Sequence, residues 1–380
     1  MSRELYIGLM SGTSADGLDA ALIAFDSPDT QALRFELIDS IECPLPANTK
    51  QQVTELALSG PDEIHKMAEL DISLAESFAG ACLELLERQQ LKPEDIRAIG
   101  SHGQTIRHIP QSKEQGGYTL QIGDPSRIAE MTGITTVADF RRRDIAAGGH
   151  GAPLAPAFHH AAFQDDHQAR FIVNIGGMAN VTHIPAKGCG EVIGFDTGPG
   201  NALMDGWIQT HKQEAYDKSG LWAEGGKVNE DLLTNLLAHP FLALTAPKST
   251  GREAFNLPWL KQQLSGIEVS PQDVQASLLA FTAQTIADQL IALHKTSAQP
   301  RGELYICGGG AHNQALMKCL ESKLPNFHIS STAELGVHPD WVEAITFAWL
   351  ARQCVHQLPG NLPSVTGARG GRILGAIYPA

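Results

Sequence analysis

Three glycine-rich stretches stand where a strand could hand over to a turn, and each carries groups that phosphate chemistry uses. The first is Gly12-Thr13-Ser14-Ala15-Asp16-Gly17-Leu18-Asp19. Gly12 and Gly17 are spaced like the glycines of a P-loop, but Leu18-Asp19 occupies the place of the required Lys-Ser/Thr. The Walker reading therefore fails. What remains is a hairpin whose N–H groups, with the hydroxyls of Ser11, Thr13 and Ser14, can approach phosphate oxygens. Asp16 and Asp19 can hold Mg²⁺ directly or through its waters. An ordinary tight turn between strands would fit the same residues. The second stretch is Phe195-Asp196-Thr197-Gly198-Pro199-Gly200-Asn201. A carboxylate at a strand end, before two glycines and a helix start at Asn201, is well placed as a catalytic base: the strand fixes Asp196 and the following amides can meet an anion. An aspartate capping a turn would look alike. The preceding Asn174-Ile175-Gly176-Gly177-Met178-Ala179-Asn180 is equally polar at its tip. The third, Cys307-Gly308-Gly309-Gly310-Ala311-His312-Asn313, lets a helix begin with almost no side-chain bulk, which suits a purine or ribose lying against backbone. A plain flexible turn remains the alternative. None of the three is a Rossmann G-x-G-x-x-G, which argues against NAD or FAD.

Other groups are less directive. The fifteen histidines include no H-E-x-x-H, and His159-His160 with His167 lacks the carboxylate and spacing of a zinc site. His102, in Ser101-His102-Gly103-Gln104-Thr105 at an expected strand end, is either a substrate contact or a turn histidine. Arg141, Arg142 and Arg143 could form a solvated basic face. Lys248–Glu253 either positions substrate or caps the next helix at Thr250. Glu343 falls on the polar side of its helix, where solvent exposure is usual.

The elements that would position these groups alternate between strand and helix. Leu5–Met10, Asp19–Phe25 and Leu33–Glu42 read as three strands joined by tight turns, the start of an antiparallel meander. Met67, Leu70, Leu74, Phe78, Cys82 and Leu85 fall three or four apart and predict a helix over Ile64–Glu87. A strand at Ile96–Gly100, a helix at Ser126–Thr132 and a strand at Ile134–Ala138 follow. Arg141–Pro156 is polar and glycine-rich, and reads as an irregular inter-domain crossover. Strands at Phe171–Ile175, Ala179–Ile184 and Val192–Phe195 again surround a glycine loop. Helical periodicity marks Ala202–Thr210, Val228–Leu237, Ser270–His294 and Pro339–Cys354, with a strand at Glu303–Cys307 before the triple glycine. Two three-strand groups with similar loops predict a duplicated α/β architecture, domains 1–140 and 141–380, with a cleft between the halves. The last residues could return to the first domain.

Bulk properties set the frame. A chain of 380 residues is too long for one ordinary core. Its 43 % hydrophobic and 18 % charged residues are those of a globular protein, not a disordered one. A net charge of −14 repels polyanions, which argues against nucleic acid or an anionic membrane as partner. Phosphate can still be bound by backbone N–H groups and Mg²⁺. The six cysteines are scattered without a C-x-x-C pair, as expected of reduced, buried thiols. The N-terminus lacks a signal-peptide pattern and no run reaches membrane-span length, so a soluble, cytoplasmic protein is expected.

Taken in order, strand–GTS–D–G, strand–D–T–G and strand–GGG–helix resemble the two phosphate motifs and the adenosine motif of the actin, Hsp70 and sugar-kinase superfamily. At finer grain Met10–Gly17, Ser101–Thr105, Asp139-Phe140-Arg141, Gly151-Ala152-Pro153-Leu154, Phe195–Asn201 and Lys248–Glu253 resemble the anhydro-N-acetylmuramic acid kinase family. The resemblance runs from Ile7 to Gly375-Ala376-Ile377-Tyr378-Pro379. Leu18 and Met178 stand where the family pattern has isoleucine. It implies a duplicated actin-like (ribonuclease H-like) two-domain fold with nucleotide in the inter-domain cleft. It also implies that ATP, water and 1,6-anhydro-N-acetylmuramic acid give N-acetylmuramic acid 6-phosphate and ADP, in peptidoglycan recycling and amino-sugar catabolism. Asp196 is then the expected base, and Mg²⁺ the expected metal at Asp16 and Asp19. Nucleotide contacts are expected from Gly12, Thr13, Ser14, Ala15, Asp16, Gly17, Leu18 and Asp19. Gly176, Asn180, Gly198 and Gly200 would add to them, with Gly308, Gly309, Gly310 and Asn313. His102, Gln104, Arg141, Asp144 and Glu343 are expected to face the sugar, and a homodimer is suggested. Another small-sugar kinase on this fold, with Asp196 activating a hydroxyl, or a non-catalytic ATP-binding switch, are the rival readings.

Overall fold

The computed structural model describes residues 3–12, 17–26, 33–46, 48–109, 116–251, 254–295 and 300–380. They divide into two compact units, one of Met1–Ala162 with Trp341–Ala380 and one of Phe163–Asp340.

Unit 1 is built on a sheet of seven strands: β1 (Arg3–Ser11), β2 (Gly17–Asp26), β3 (Phe35–Pro44), β4 (Ile96–Ile109), β5 (Tyr118–Ile122), β6 (Thr136–Ala138) and the C-terminal edge strand (Ala376–Tyr378). β1, β2 and β3 form an antiparallel meander, and β4 and then β6 add parallel to β1. Helices α1 (Thr49–Ala57), α2 (Glu63–Gln89) and α3 (Pro125–Thr132) belong to this unit. The α2 stripe Leu70, Leu74, Phe78, Cys82 and Leu85 is buried against Ile7, Leu9, Leu18 and Leu22, as the 3.6-residue periodicity requires. Ile7 and Leu9 alternate with Gly8, which therefore lies on the other face. Gly8 pairs with Gly100 of β4, and a Cβ on either would collide with a backbone carbonyl, that of Ala344 or of Phe347. Two glycines side by side thus let a helix rest on the sheet by its backbone.

Unit 2 repeats the topology with β7 (Arg170–Ile175), β8 (Met178–Ile184), β9 (Ile193–Pro199), β10 (Gly302–Cys307) and β11 (Phe327–Ser331) in the order β11-β10-β7-β8-β9. Again the first three strands are an antiparallel meander and the next two add parallel to the first. The edge strand of unit 1 is β12. Two sheets with this shared order are the duplicated actin-like fold. Short helices α4 (Arg142–Ala146) and α5 (Ala155–Phe163) precede unit 2. Within it follow α6 (Ala202–Lys212), α7 (Leu221–Glu224), α8 (Glu230–Leu237), α9 (Leu257–Gln263), α10 (Pro271–His294) and α11 (Gln314–Lys323). Phe171, Val173 and Ile175 bury themselves with Leu278, Phe281 and Ile286 of α10. That helix is long and apolar enough to cross a bilayer, yet 67 % of the relevant window is buried inside the unit, so it is a core helix.

Several expectations shift. The boundary falls at 162/163 rather than 140/141, and the second unit ends at residue 340. The cause is α12 (Val342–Val355), which with α13 (Pro363–Thr366) returns to unit 1 and packs on β1, β2 and β4. Arg141–Pro156 is correspondingly no crossover: it holds α4 and the start of α5 inside unit 1. β4 does not stop at Gly100 but continues through Ser101–Thr105, because β1 pairs it as far as Gln104 and β5 takes over from there. β9 likewise carries Asp196, Thr197 and Gly198 within the strand. Thr250 is not a helix cap, since Asn256 caps α9 by accepting from Trp259 N–H at 2.9 Å. Of the six thiols, Cys82, Cys307 and Cys354 are buried, Cys43 and Cys319 are half-buried and Cys189 is exposed.

Candidate active site

In unit 2 the register sets Cys307, Asn174, Asn180 and Asp196 opposite one another on four adjacent strands, β10, β7, β8 and β9. Asn174 lies between the core residues Val173 and Ile175, so this row occupies the sheet face away from that core. A bulge between Ala179 and Asn180 brings Asp196 into the row. Its backbone N–H donates to Lys248 O at 3.1 Å. Its carboxylate accepts at Oδ2 from the Ser249 hydroxyl and from Thr250 N–H, both at 2.8 Å. Lys248 is buried, with its ammonium 4.9 Å from the Phe241 ring centroid and 5.7 Å from that of Phe195. Burial pushes the Lys248 pKa down, and Asp196 opposes that shift.

The glycine loops of unit 2 meet at one end of the central strands. Gly200 N–H and Ala202 N–H donate to Gly177 O at 2.9 and 3.1 Å, and Asn201 N–H donates to Gly176 O at 2.8 Å. Asn201 Nδ2 adds a bond to Ile175 O at 3.1 Å. These bonds lace the 175–178 turn to the start of α6. Gly308, at φ +76°, faces Asn174 Oδ1 so closely that no Cβ would fit. Gly309 and Gly310 open the short 3₁₀ turn that leads to α11. Asn313 caps that helix, its Oδ1 accepting from Leu316 N–H at 3.0 Å. Asn174 Oδ1 is buried without a hydrogen-bond partner among the described residues. Gly198 lies near Thr285 of α10.

Unit 1 treats its expected residues differently. Thr13, Ser14, Ala15 and Asp16 lie outside the described residues, as do Arg252 and Glu253. The ends of the first loop are held from β1 and β4: the one Ser11 hydroxyl proton is shared between Gln104 Oε1 at 2.7 Å and Gly17 O at 3.1 Å, and Gln104 Nε2 donates to Gly12 O at 3.2 Å. Ser11 and Gln104 are both buried, so their polar atoms serve the loop's geometry. Leu18 is buried in the core against α2, while Asp19 is half-buried on β2 opposite Met10 and Glu42. Among the described residues no three His, Cys, Asp or Glu side chains cluster to hold a metal.

His102 and Arg141 are brought together. Arg141 Nη2 stands 2.8 Å and Nε 3.3 Å from His102 Nε2, and Arg141 Nη1 donates to Gly151 O at 2.9 Å. Nδ1 of His102 lies 2.8 Å from Gly103 O, a distance that assigns it the proton. Burial, then the Arg141 charge, holds the His102 pKa well below its ordinary value, so the ring is neutral. Asp144 is placed otherwise than a sugar-facing role requires. It is wholly buried, and accepts from Gly151 N–H at 2.8 Å and from Asn361 Nδ2 and Thr366 Oγ1 at 2.7 Å each. It ties α4 to the returning C-terminal segment. Glu343 is half-buried in the first turn of α12, one residue before the helix backbone meets Gly8.

The sequence reading missed the grip of Ser249 and Thr250 on Asp196. The available signal was a hydroxyl pair in the Lys248–Glu253 stretch, but its partner lies 53 residues away.

A duplicated actin-like fold with glycine loops at its strand ends and an anchored carboxylate on β9 describes a phosphotransferase of the actin-like superfamily. Residues 4–380 match the sequence model of the family described as anhydro-N-acetylmuramic acid kinase. Proteins named anhydro-N-acetylmuramic acid kinase are 51 % identical in Pseudomonas fluorescens, covering 99 % of both chains, and 49 % identical in Shewanella pealeana, covering 100 % of both. Component A of the (R)-2-hydroxyglutaryl-CoA dehydratase of Acidaminococcus fermentans aligns with a TM-score of 0.43 at 13 % identity, covering 91 % of this chain and 96 % of that one. The chain belongs to the anhydro-N-acetylmuramic acid kinase family.

Proposed function

We propose that this protein is an ATP-dependent kinase that opens 1,6-anhydro-N-acetylmuramic acid with water and phosphorylates O6, yielding N-acetylmuramic acid 6-phosphate and ADP. Family membership supports the substrate and the place in cell-wall recycling. The observation that carries the chemistry is the Asp196 carboxylate, held at Oδ2 by two donors at the end of a polar row. Asp196 takes a proton from water, whose oxygen bonds to C1 as the C1–O6 bond breaks, in the manner of the base of an inverting glycosidase. O6 leaves as an oxyanion and bonds to the γ-phosphorus of ATP while the bond to the ADP oxygen breaks. The phosphoryl group thereby replaces the proton that a leaving oxygen otherwise needs. Asp196 then releases its proton to solvent.

Nucleotide binding at the glycine loops is supported by Gly308, which leaves no room for a side chain, and by Asn174 Oδ1, buried without a hydrogen-bond partner among the described residues. Gly12, Thr13, Ser14 and Ala15, with Gly17 and Leu18, form the other proposed phosphate loop. Gly176, Asn180, Gly198, Gly200, Gly309, Gly310 and Asn313 are the proposed contacts in unit 2. Asp16 and Asp19 would hold Mg²⁺ through water, since two carboxylates with phosphate oxygens suit that ion. Mg²⁺ offsets phosphate charge when bound. His102 and Arg141 present a neutral ring and a fixed guanidinium to the sugar, with Glu343 as a further contact. We place the enzyme in the cytoplasm as a homodimer, in keeping with the family resemblance.

ADP release measured across a panel of sugars tests the reading. Release that depends on 1,6-anhydro-N-acetylmuramic acid is expected, and in oxygen-18 water the label should appear at C1 and not on phosphate. Sugar-independent release, or preference for another hexose, overturns it.

A further inference from the structure

β9 fixes the Cα of Asp196 but not the direction of its carboxylate, because rotation about the last side-chain bond is soft. That direction is set from another segment. Ser249 Oγ and Thr250 N–H both reach Oδ2 at 2.8 Å, and Asp196 N–H in turn donates to Lys248 O at 3.1 Å. Three consecutive residues thus grip one. The segment is itself anchored, since the buried Lys248 packs its ammonium over Phe241 and donates to Leu242 O at 3.3 Å. A carboxylate tied through one oxygen to two donors has one plane and one direction for its other oxygen. Donors to a carboxylate also favour its ionised form, the form a base must have before it acts.

We propose that Ser249 is a positioning residue for catalysis: its hydroxyl, with Thr250 N–H, holds the Asp196 carboxylate ionised and aimed at the attacking water. This rests on the reading of Asp196 as the base. In the step itself the Ser249 proton stays on its own oxygen. The water's proton goes to Asp196, and the Ser249 bond then serves a neutral carboxyl.

The test uses the full chain with S249A, S249T, D196N and D196N/S249A, assayed with ATP and 1,6-anhydro-N-acetylmuramic acid. S249A is expected to lower kcat about ten-fold at pH 7 and to change the sugar KM less than about two-fold. The acid limb of its kcat/KM profile is expected to move up by about one pH unit, the shift that losing one hydrogen bond to a charged group implies. S249T keeps the hydroxyl and restores kcat to within about three-fold of wild type, which also covers the case in which S249A folds poorly. In the D196N background S249A should cost nothing further, since Ser249 acts through a charge that is gone. A rise in KM alone, an unmoved acid limb, or an equal loss in both backgrounds overturns the proposal. Full activity in D196N overturns the reading of Asp196 itself, whatever S249A does; an inactive D196N beside an unaltered S249A overturns only the role of Ser249.

Discussion

In unit 1 the strand pair β1–β4 sets Gly8 beside Gly100 and lets α12 rest on the sheet by its backbone. The corresponding pair β7–β10 of unit 2 sets Asn174 beside Cys307 and carries a polar row out to Asp196. The first faces are alike, each an apolar layer against helices: Ile7 and Leu9 against α2, Phe171, Val173 and Ile175 against α10. Only the second face differs. One topology therefore carries a packed backbone contact in one copy and a row of polar side chains in the other, and the residues at Gly8 and Asn174 decide which.

The comparison breaks first at Asp196. D196N should fold and bind ATP yet lose about 10²–10⁴ in kcat, or about 3–5 kcal/mol of transition-state stabilisation. Single-turnover kinetics would check it; a variant keeping more than about a tenth of wild-type kcat would mean that the row in unit 2 is not where the chemistry sits. Next comes Gly100. G100V drives side-chain atoms into the Phe347 carbonyl, which cannot yield without moving α12, and should cost about 3 kcal/mol. Hydrogen exchange should show faster opening in unit 1 peptides, with unit 2 protected as before. Equal loosening of both units would remove the distinction drawn here.

Acid sharpens the contrast. Burial pushes His108 down to about 4 and His159 down to about 3, and His102 also lies well below its ordinary value through burial and then Arg141. All three are in unit 1, whereas burial lowers His183 and His239 of unit 2 less far. Each is neutral when folded and takes up a proton when unfolded, so its stabilisation is complete above about pH 6.5 and is lost as pH falls through the folded value. Unit 1 should lose up to about 1.4 kcal/mol per pH unit per histidine between pH 6.5 and 4. Denaturation of the wild type across that range, with exchange peptides to locate it, should find unit 1 opening first. Asn313 carries the smallest effect. N313A removes the α11 cap and should cost about 1 kcal/mol. N313D keeps the cap; if both variants raise the ATP KM, Asn313 also touches nucleotide, and if neither does, it is a cap alone.

What the sequence made legible follows a physical line. The α2 stripe is local and periodic, so Leu70, Leu74 and Phe78 announced their buried face. The two meanders were visible because tight turns keep their strands adjacent in sequence. Ser101–Thr105 reads as a loop because Ser, Gly and Gln are poor strand formers, yet pairing with β1 and β5 extends β4 across them. Asp144 was expected, with Arg141, to face the sugar; its partners Asn361 and Thr366 arrive from more than 200 residues away. Ser249 was hidden for the same reason. Periodicity tells which face a helix buries, not which sheet receives it, and so the expected return of the last residues to the first domain could not be extended back to α12.

That return has a consequence for how the molecule is made. Unit 2 is one uninterrupted stretch of chain, Phe163–Asp340, whereas unit 1 needs segments from both sides of that stretch. On the ribosome, where domains close as their residues emerge, the stretch synthesised second is the first that can finish. Until α12 appears, the Gly8–Gly100 face stands uncovered beside a nascent chain still attached. The first-made half must wait, its sheet formed before the helix that covers it has been translated.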